Sequence, residues 1–166
     1  MVVSSRNIFE VTSEFLEKHL VQFYQLDKVE LGQESWTLKN WEKSLDDTGY
    51  KLFCCLSKDE ELIGFILVHS IVQMQQAHLL KIVIASPFKR LGIANKMFIL
   101  AMEDLARLGV NNCYLEVGID NFSAIALYRS LAFTILTTKK KFYKSGKSAY
   151  AMQCFFGGLP QLNLSD

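Results

Sequence analysis

Glu116, Asn121 and Tyr128 follow one another closely and could form a catalytic site. Glu116 interrupts the apolar run NCYLEV at residues 112–117, where a carboxylate is costly unless it is paired, lies at an edge or takes part in chemistry. A carboxylate at a strand end beside a cleft is a suitable general base. The residues alone leave simpler roles open: a salt bridge for Glu116, a helix cap for Asn121 and a buried aromatic position for Tyr128.

A basic segment with one glycine, KRLGIA at residues 89–94, could bind an anion. It follows an apolar, β-branched run at residues 77–84 that predicts a buried strand, and apolar residues then recur at helical spacing over residues 93–105. The first N–H groups of a helix lack partners inside it, and the helix dipole favours negative charge there. Gly92 lets the backbone approach a ligand closely. A pyrophosphate would suit this segment. An ordinary strand-to-helix connection with solvated Lys and Arg is the simpler interpretation of the residues alone, because the Walker A and GxGxxG patterns are both absent.

The elements around these two segments follow the order β α α β β β α β α β β. Three closely spaced strands before the long helix predict an antiparallel meander, and a strand–helix–strand unit follows that helix. We expect one mixed α/β domain over residues 1–156 and a loosely ordered tail over residues 157–166. The predicted strands are residues 7–11, 51–56, 62–72, 77–84, 112–117, 133–142 and 148–155, and the predicted helices begin after Thr12 or Ser13, after Thr37, near Ile93 and at Ser123.

Three aromatic side chains in these elements carry more than one interpretation. Trp36 and Trp41 lie at the edge of a second, short helix, which is predicted to carry Leu38, Trp41 and Leu45 and to follow a polar connector at residues 30–35. Both are expected in the core, with the alternative that one lines a substrate groove. His78 begins the third meander strand and is expected to face solvent or form a hydrogen bond rather than bind a metal.

The composition is that of a globular protein without a strong overall charge. The chain has 166 residues, half of them hydrophobic, and a formal net charge of +1, so neither nucleic acid nor an anionic membrane is indicated as a partner. Cys54, Cys55, Cys113 and Cys154 lack metal-ligand spacing and are expected to be free thiols in core strands. Because no signal-peptide pattern or apolar run of about 18 residues is present, we expect a soluble, cytoplasmic protein.

The loop KRLGIA, the segment LEVGIDNFSAIALYRSLAF at residues 115–133 and the order of elements resemble the GNAT superfamily of acetyltransferases. Within that superfamily they are most similar to the RimI group, the ribosomal-protein alanine N-acetyltransferases. The resemblance is specific over residues 77–133, extends in order of elements to about Met152 and is weak before residue 60. It implies a single-domain GNAT fold of the α/β (α+β) class, in which a mixed, mostly antiparallel sheet of about seven strands is flanked by about four helices.

The resemblance also implies acetyl-CoA as a co-substrate, without a metal, and a role for each matching residue. The family's pyrophosphate loop begins with Gln or Arg, a place taken here by Lys. The preceding strand binds the pantetheine arm, and one of its N–H groups polarises the thioester carbonyl. The implied catalytic residues are Glu116 as general base and Tyr128 as general acid, and the implied acetyl-CoA-binding residues are Ile82, Val83, Ile84, Lys89, Arg90, Leu91, Gly92, Ile93, Ala94, Asn95 and Asn121.

These implied roles give coherent chemistry for an amine acceptor. The pKa of an α-amino group is about 8, so Glu116, acting through a water, could remove its proton at neutral pH at little cost. The amine would attack the thioester carbonyl, and Tyr128 would protonate a thiolate whose pKa is about 8.5. No covalent enzyme intermediate is needed.

The expected acceptor is the N-terminal amino group of a protein, as in the RimI group, where a hairpin matching residues 141–148 closes over the peptide. Gly118 stands where that group usually has Arg, which loosens the loop over the acceptor site. Ala132 stands where Gly is usual, at a cost of about 1 kcal/mol if its backbone is left-handed. A small amine such as a polyamine, an amino acid or a drug is the alternative acceptor, and an acyl-CoA sensor without turnover is a third hypothesis. We expect a monomer or a weak dimer.

Overall fold

The apolar runs form one seven-stranded sheet in the computed structural model, which describes residues 7–44 and 46–158. The strand order is β1-β2-β3-β4-β5-β7-β6, and every neighbouring pair is antiparallel except β4–β5, which is parallel. The predicted meander is therefore confirmed as β2-β3-β4. The strands are β1 Ile8–Glu10, β2 Tyr50–Leu56, β3 Leu62–Ile71, β4 Gln76–Ile84, β5 Asn112–Gly118, β6 Thr134–Lys139 and β7 Ala149–Phe155.

Four α-helices cover the two faces of this sheet. Helices α3 and α4 pack with one buried cluster, and α1 and α2 pack with the other. The adjacent thiols of Cys54 and Cys55 belong to different clusters, as strand alternation requires. No helix among the described residues is long and apolar enough to cross a membrane. The helices are α1 Ser13–Leu31, α2 Leu38–Lys43, α3 Ile93–Arg107 and α4 Phe122–Ser130.

Polar caps begin three of these helices. Thr12 accepts a hydrogen bond from Phe15 N in α1, Thr37 caps α2 in the same way, and Asn121 accepts from Ala124 N in α4. Each side-chain oxygen pairs one of the N–H groups that the first helical turn leaves without a partner. The predicted caps of all three helices are confirmed.

Two predicted boundaries are wrong. Residues 30–35 are not simply a polar connector, because α1 continues to Leu31 and a 3-10 turn, Gly32–Glu34, follows. The helix runs until Gly32, whose φ of 56° ends it and whose N–H donates to Lys28 O. The last hairpin is also less regular than predicted, since β6 ends at Lys139. Leu45 and residues 159–166 of the predicted tail lie outside the described residues.

Strands β4 and β5 pair over only part of their length. Their register joins Gln76 to Asn112 and His78 to Tyr114, and no pairing follows beyond these positions within the described chain. On its other edge β4 contains a bulge, because Leu67 lies opposite Lys81 while its neighbour Val68 lies opposite Leu79. A bulge bends the strand that contains the extra residue. The result is a wedge-shaped opening in the middle of the sheet.

Replacing Ala132, which follows α4, by glycine should stabilise the protein. The φ of Ala132 is 62°, so its backbone does adopt the left-handed conformation. Because a β-carbon is strained there, Ala132→Gly should raise the free energy of unfolding by about 1 kcal/mol, measured by urea denaturation. Ala106→Gly on the exposed side of α3 is the control and should lower it. A lower stability of Ala132→Gly would contradict this account.

Candidate active site

A cavity of about 970 Å³ opens where β4 and β5 separate. Its wall combines β4, the first turn of α3, the end of β5 and the start of α4, and Phe142 and Tyr143 from the β6–β7 connection complete it. The fold thus brings nearly all the predicted site residues to one place. Leu91 is the exception, because it is exposed and does not line the cavity. Those that line it are Ile82, Val83, Ile84, Lys89, Arg90, Gly92, Ile93, Ala94, Asn95, Glu116, Asn121 and Tyr128.

The N-terminus of α3 is the part of this wall suited to an anion. Among the four described α-helices only α3 lacks a side-chain cap, so its first N–H groups remain available. Its N-cap is Gly92, which has a φ of 76° and no atom within 4 Å of where a β-carbon would lie. Asn95, in the first turn of α3, has a buried Oδ1 that accepts no hydrogen bond from any described residue. This combination fits a ligand that has both anionic and hydrogen-bonding groups.

Lys89 at the start of the loop already has a partner. Its Nζ lies 2.6 Å from Glu30 Oε2, and Ser86 donates to the same carboxylate through its N–H and its hydroxyl. Burial pushes the pKa of Glu30 upward, but the hydrogen bonds from Lys89 and Ser86 outweigh it and lower that pKa. Glu30 therefore anchors the loop to the end of α1. The charge of Lys89 is compensated, which leaves the backbone N–H groups and Arg90 as the main attraction for an anion.

Glu116 projects from β5 into a cluster of polar side chains. Tyr114 OH donates to its Oε1, Lys139 Nζ lies 2.5 Å from the same oxygen, and His78 Nε2 lies 2.8 Å from Oε2. Burial raises the pKa of Glu116, whose side chain is 9% exposed, but the hydrogen bonds from Lys139, Tyr114 and His78 lower it overall. The carboxylate is therefore ionised at neutral pH. The prediction that His78 forms a hydrogen bond is confirmed.

Tyr128 lines the cavity from α4. It is almost fully buried and packs against Phe133, with ring centroids 5.6 Å apart. Burial raises the pKa of its hydroxyl above the ordinary value of 10.0. The hydroxyl is therefore neutral at physiological pH, although the raised pKa makes it a weaker acid. Its role as general acid stays a prediction.

A sequence model of the acetyltransferase (GNAT) family matches residues 13–133, which include the α3 loop, Glu116 and Tyr128. The chain belongs to the GNAT acetyltransferase family. The match begins with α1 and ends after α4, so it contains the whole β4–α3–β5–α4 unit around the cavity.

This GNAT protein is similar to several named acetyltransferases. An N-alpha-acetyltransferase of Saccharolobus solfataricus is 29% identical over 105 residues, 57% of this chain and 63% of the relative. The ribosomal protein bS18-alanine N-acetyltransferase of Salmonella typhimurium is 29% identical over 92 residues, 55% of this chain and 61% of the relative. The chain thus spans about three fifths of the length of these curated relatives.

A solved structure shares the fold over nearly the full length. The crystal structure of the ribosomal-protein-S18-alanine N-acetyltransferase from Escherichia coli gives a TM-score of 0.77 at 22% identity, covering 96% of this chain and 98% of that one. The predicted GNAT fold is confirmed, with seven strands and four α-helices. The resemblance to ribosomal-protein alanine N-acetyltransferases is also confirmed.

A buried ion pair, which sequence patterns did not indicate, supports the β4 wall of this GNAT protein. Lys81 Nζ lies 2.9 Å from Asp27 Oδ1, and their side chains are 3% and 0% exposed. Asp27 Oδ2 also accepts hydrogen bonds from Trp36 N and Trp41 Nε1. Both interpretations of the tryptophans hold, since Trp41 is buried in the core while Trp36 lines the cavity. The pair therefore fixes the α1–α2 connection against β4.

No group of three or more His, Cys, Asp or Glu side chains in residues 7–44 and 46–158 is placed to hold a metal ion. All four cysteines are buried free thiols in β2, β5 and β7, as predicted.

Lys139 should hold the pKa of Glu116 down. Lys139→Met removes the leading stabilising hydrogen bond, so the pKa of Glu116 should rise, measured by ¹³C NMR titration of the glutamate carboxyls. The matched control is Lys140→Met at the exposed neighbouring position, which should leave the pKa of Glu116 unchanged. Because the folded-state pKa is lowered, the stability from this cluster should be present above pH 4.5 and lost as the pH falls through the lowered value. An unchanged pKa in Lys139→Met would refute this arrangement.

Asp27 should be far more important to stability than a surface carboxylate. Asp27→Asn leaves the ammonium of Lys81 buried without its counter-charge, so the free energy of unfolding should fall by about 3 kcal/mol in urea denaturation. The double variant Asp27→Asn/Lys81→Met, which has neither charge, should recover much of that loss. A double variant no more stable than Asp27→Asn would show that the charge pairing is not the cause.

Proposed function

We propose that this protein transfers the acetyl group of acetyl-CoA to a primary amine, above all to the N-terminal amino group of a protein. The observation that supports this most strongly is the wedge between β4 and β5. One cavity there joins the uncapped N-terminus of α3 to the ionised carboxylate of Glu116. The similarity to an N-alpha-acetyltransferase and to a bS18-alanine N-acetyltransferase supports the N-terminal acceptor.

The chain has residues suited to each part of acetyl-CoA. The first turn of α3, from Gly92 to Asn95, would hold the pyrophosphate through its N–H groups. Beyond His78 the backbone edge of β4 has no β5 partner, so its N–H and C=O groups there can bind the amide-containing arm. Asn95 Oδ1 would accept a hydrogen bond from the ligand. Acetyl-CoA itself supplies an activated thioester.

Glu116 and Tyr128 would then move the protons. The α-amino group of the acceptor has a pKa of about 8, and a carboxylate that is ionised at neutral pH can take its proton through a water. Tyr128, neutral and buried on α4, would donate a proton to the leaving thiolate. The clamp formed by Tyr114, Lys139 and His78 would hold the Glu116 carboxylate in one position during this step.

The reaction is also proposed to take place in the cytoplasm. Four buried free thiols support a reducing, cytoplasmic environment. A monomer or a weak dimer stays our prediction. A small amine such as a polyamine is the alternative acceptor, because the cavity alone does not discriminate between free amines and peptide N-termini.

Thiol release from acetyl-CoA against a panel of acceptors tests this function. The panel holds peptides beginning with Ala, Ser, Met and Gly, an N-terminally blocked peptide with an internal Lys, and several polyamines. We expect release with free-N-terminus peptides only. Release with polyamines only would show that the acceptors are small amines. No release despite acetyl-CoA binding would favour an acyl-CoA sensor without turnover.

Glu116→Gln tests the proton acceptor. The variant should lower kcat by about 10²-fold or more, while acetyl-CoA binding measured by calorimetry stays unchanged. Glu42→Gln, at an exposed position on α2, is the matched control and should have the kcat of the unaltered protein. Full turnover in Glu116→Gln would show that Glu116 is not the general base.

A further inference from the structure

The β6–β7 connection is an ordered basic loop at the cavity. The basic loop is defined as residues 139–147 (KKKFYKSGK), five of which are lysine. Tyr143 N donates to Lys147 O at 3.0 Å, and Gly146 N donates to Tyr143 O at 2.8 Å. Phe142 and Tyr143, in its middle, line the cavity. The loop is therefore folded on itself and forms part of the cavity wall.

The five lysines divide into two groups. Lys139 and Lys147 are paired with Glu116 and Asp120, at 2.5 Å and 2.7 Å. The other three are exposed, and none of them forms an ion pair with any residue that the structure describes. These three are Lys140, Lys141 and Lys144. Each has a positive charge that no described carboxylate compensates by an ion pair.

The local charge is strongly asymmetric although the whole chain is nearly neutral. From residue 121 to the end, the sequence has six basic residues and a single acidic one, Asp166. The carboxylates that line the cavity include Glu116 on β5 and the exposed Glu34 on the wall formed by the α1–α2 connection. Burial, reinforced by the charges of these two carboxylates, raises the pKa of Tyr143 to about 12. The exposed lysines of the loop thus place positive charge beside the cavity.

This arrangement matches one kind of acceptor. We propose that Lys140, Lys141 and Lys144 bind acidic side chains of an acceptor polypeptide, so that the preferred substrate has Asp or Glu shortly after its N-terminal residue. The inference rests on the proposed function, since it assumes that the amine is acetylated beside Glu116. An extended chain advances about 3.3 Å per residue and a lysine side chain is long and flexible, so roughly the third to sixth residues would lie within reach. The same lysines would repel a polyamine.

Three matched peptides test the inference. They share their first two residues, beginning with Ala, and contain Asp and Glu, Asn and Gln, or Lys at positions three to six. At about 50 mM NaCl we expect the acidic peptide to have a KM about tenfold lower than the neutral one, with similar kcat, and the basic peptide to be poorest. The difference should diminish at about 500 mM NaCl, because salt screens exposed charges.

Charge reversal gives the complementary test. The variant Lys140→Glu/Lys141→Glu/Lys144→Glu should reverse the order of the acidic and basic peptides, while the KM for acetyl-CoA and turnover of the neutral peptide stay as they were. The control variant, Lys18→Glu/Lys43→Glu/Lys58→Glu, changes the net charge equally at exposed positions outside the cavity wall and should keep the original order.

Each contrary result overturns the inference in a distinguishable way. Equal KM values for the three peptides would remove it while leaving N-terminal acetylation intact. A raised KM for acetyl-CoA in the loop variant would assign the lysines to the cofactor phosphates instead. Competition between an RNA oligonucleotide and the acidic peptide, lost in the loop variant, would assign them to nucleic acid. No acetylation of any peptide would overturn the proposed function and this inference with it.

Discussion

The incomplete pairing between β4 and β5 is the constraint on which the rest of the site depends. Parallel strands that stayed paired would fill the middle of the sheet with backbone hydrogen bonds. Here the ladder ends at His78 and Tyr114, and the bulge on β4 bends that strand. The space that opens is large enough for a ligand, and its walls provide backbone groups that have no other partner in the sheet. The cavity is thus a property of strand geometry.

Two buried charge clusters stabilise the walls of this opening. Asp27 and Lys81 join α1 to β4, and the clamp around Glu116 joins β5 to β4 and β6. Burying a carboxylate costs free energy unless hydrogen bonds and an opposite charge compensate it. Both carboxylates have such partners, and in each case the partners come from different elements. The charges therefore define how those elements are positioned around the cavity.

The helix N-termini differ in whether a side chain caps them, and this difference bears on the candidate ligand site. Thr12, Thr37 and Asn121 cap their helices, whereas α3 begins at Gly92 without a side-chain cap. A cap would pair the N–H groups that an anion needs. Asn121 shows that one residue can serve both structure and site, since it caps α4 and also lines the cavity.

The sequence by itself determined the order of elements, the helix caps, the glycine-containing loop before α3 and the placement of Glu116 on a strand and Tyr128 on a helix, because these depend on periodicity and on contacts between near neighbours. Tertiary structure alone decided which groups surround them. The clamp on Glu116 brings together residues 38 and 23 positions away, and the Asp27–Lys81 pair joins residues 54 positions apart. Tyr114 was the one partner within reach of sequence reasoning, since alternate residues of a strand share a face. The other contacts follow from the register and divergence of distant strands, which no local pattern encodes.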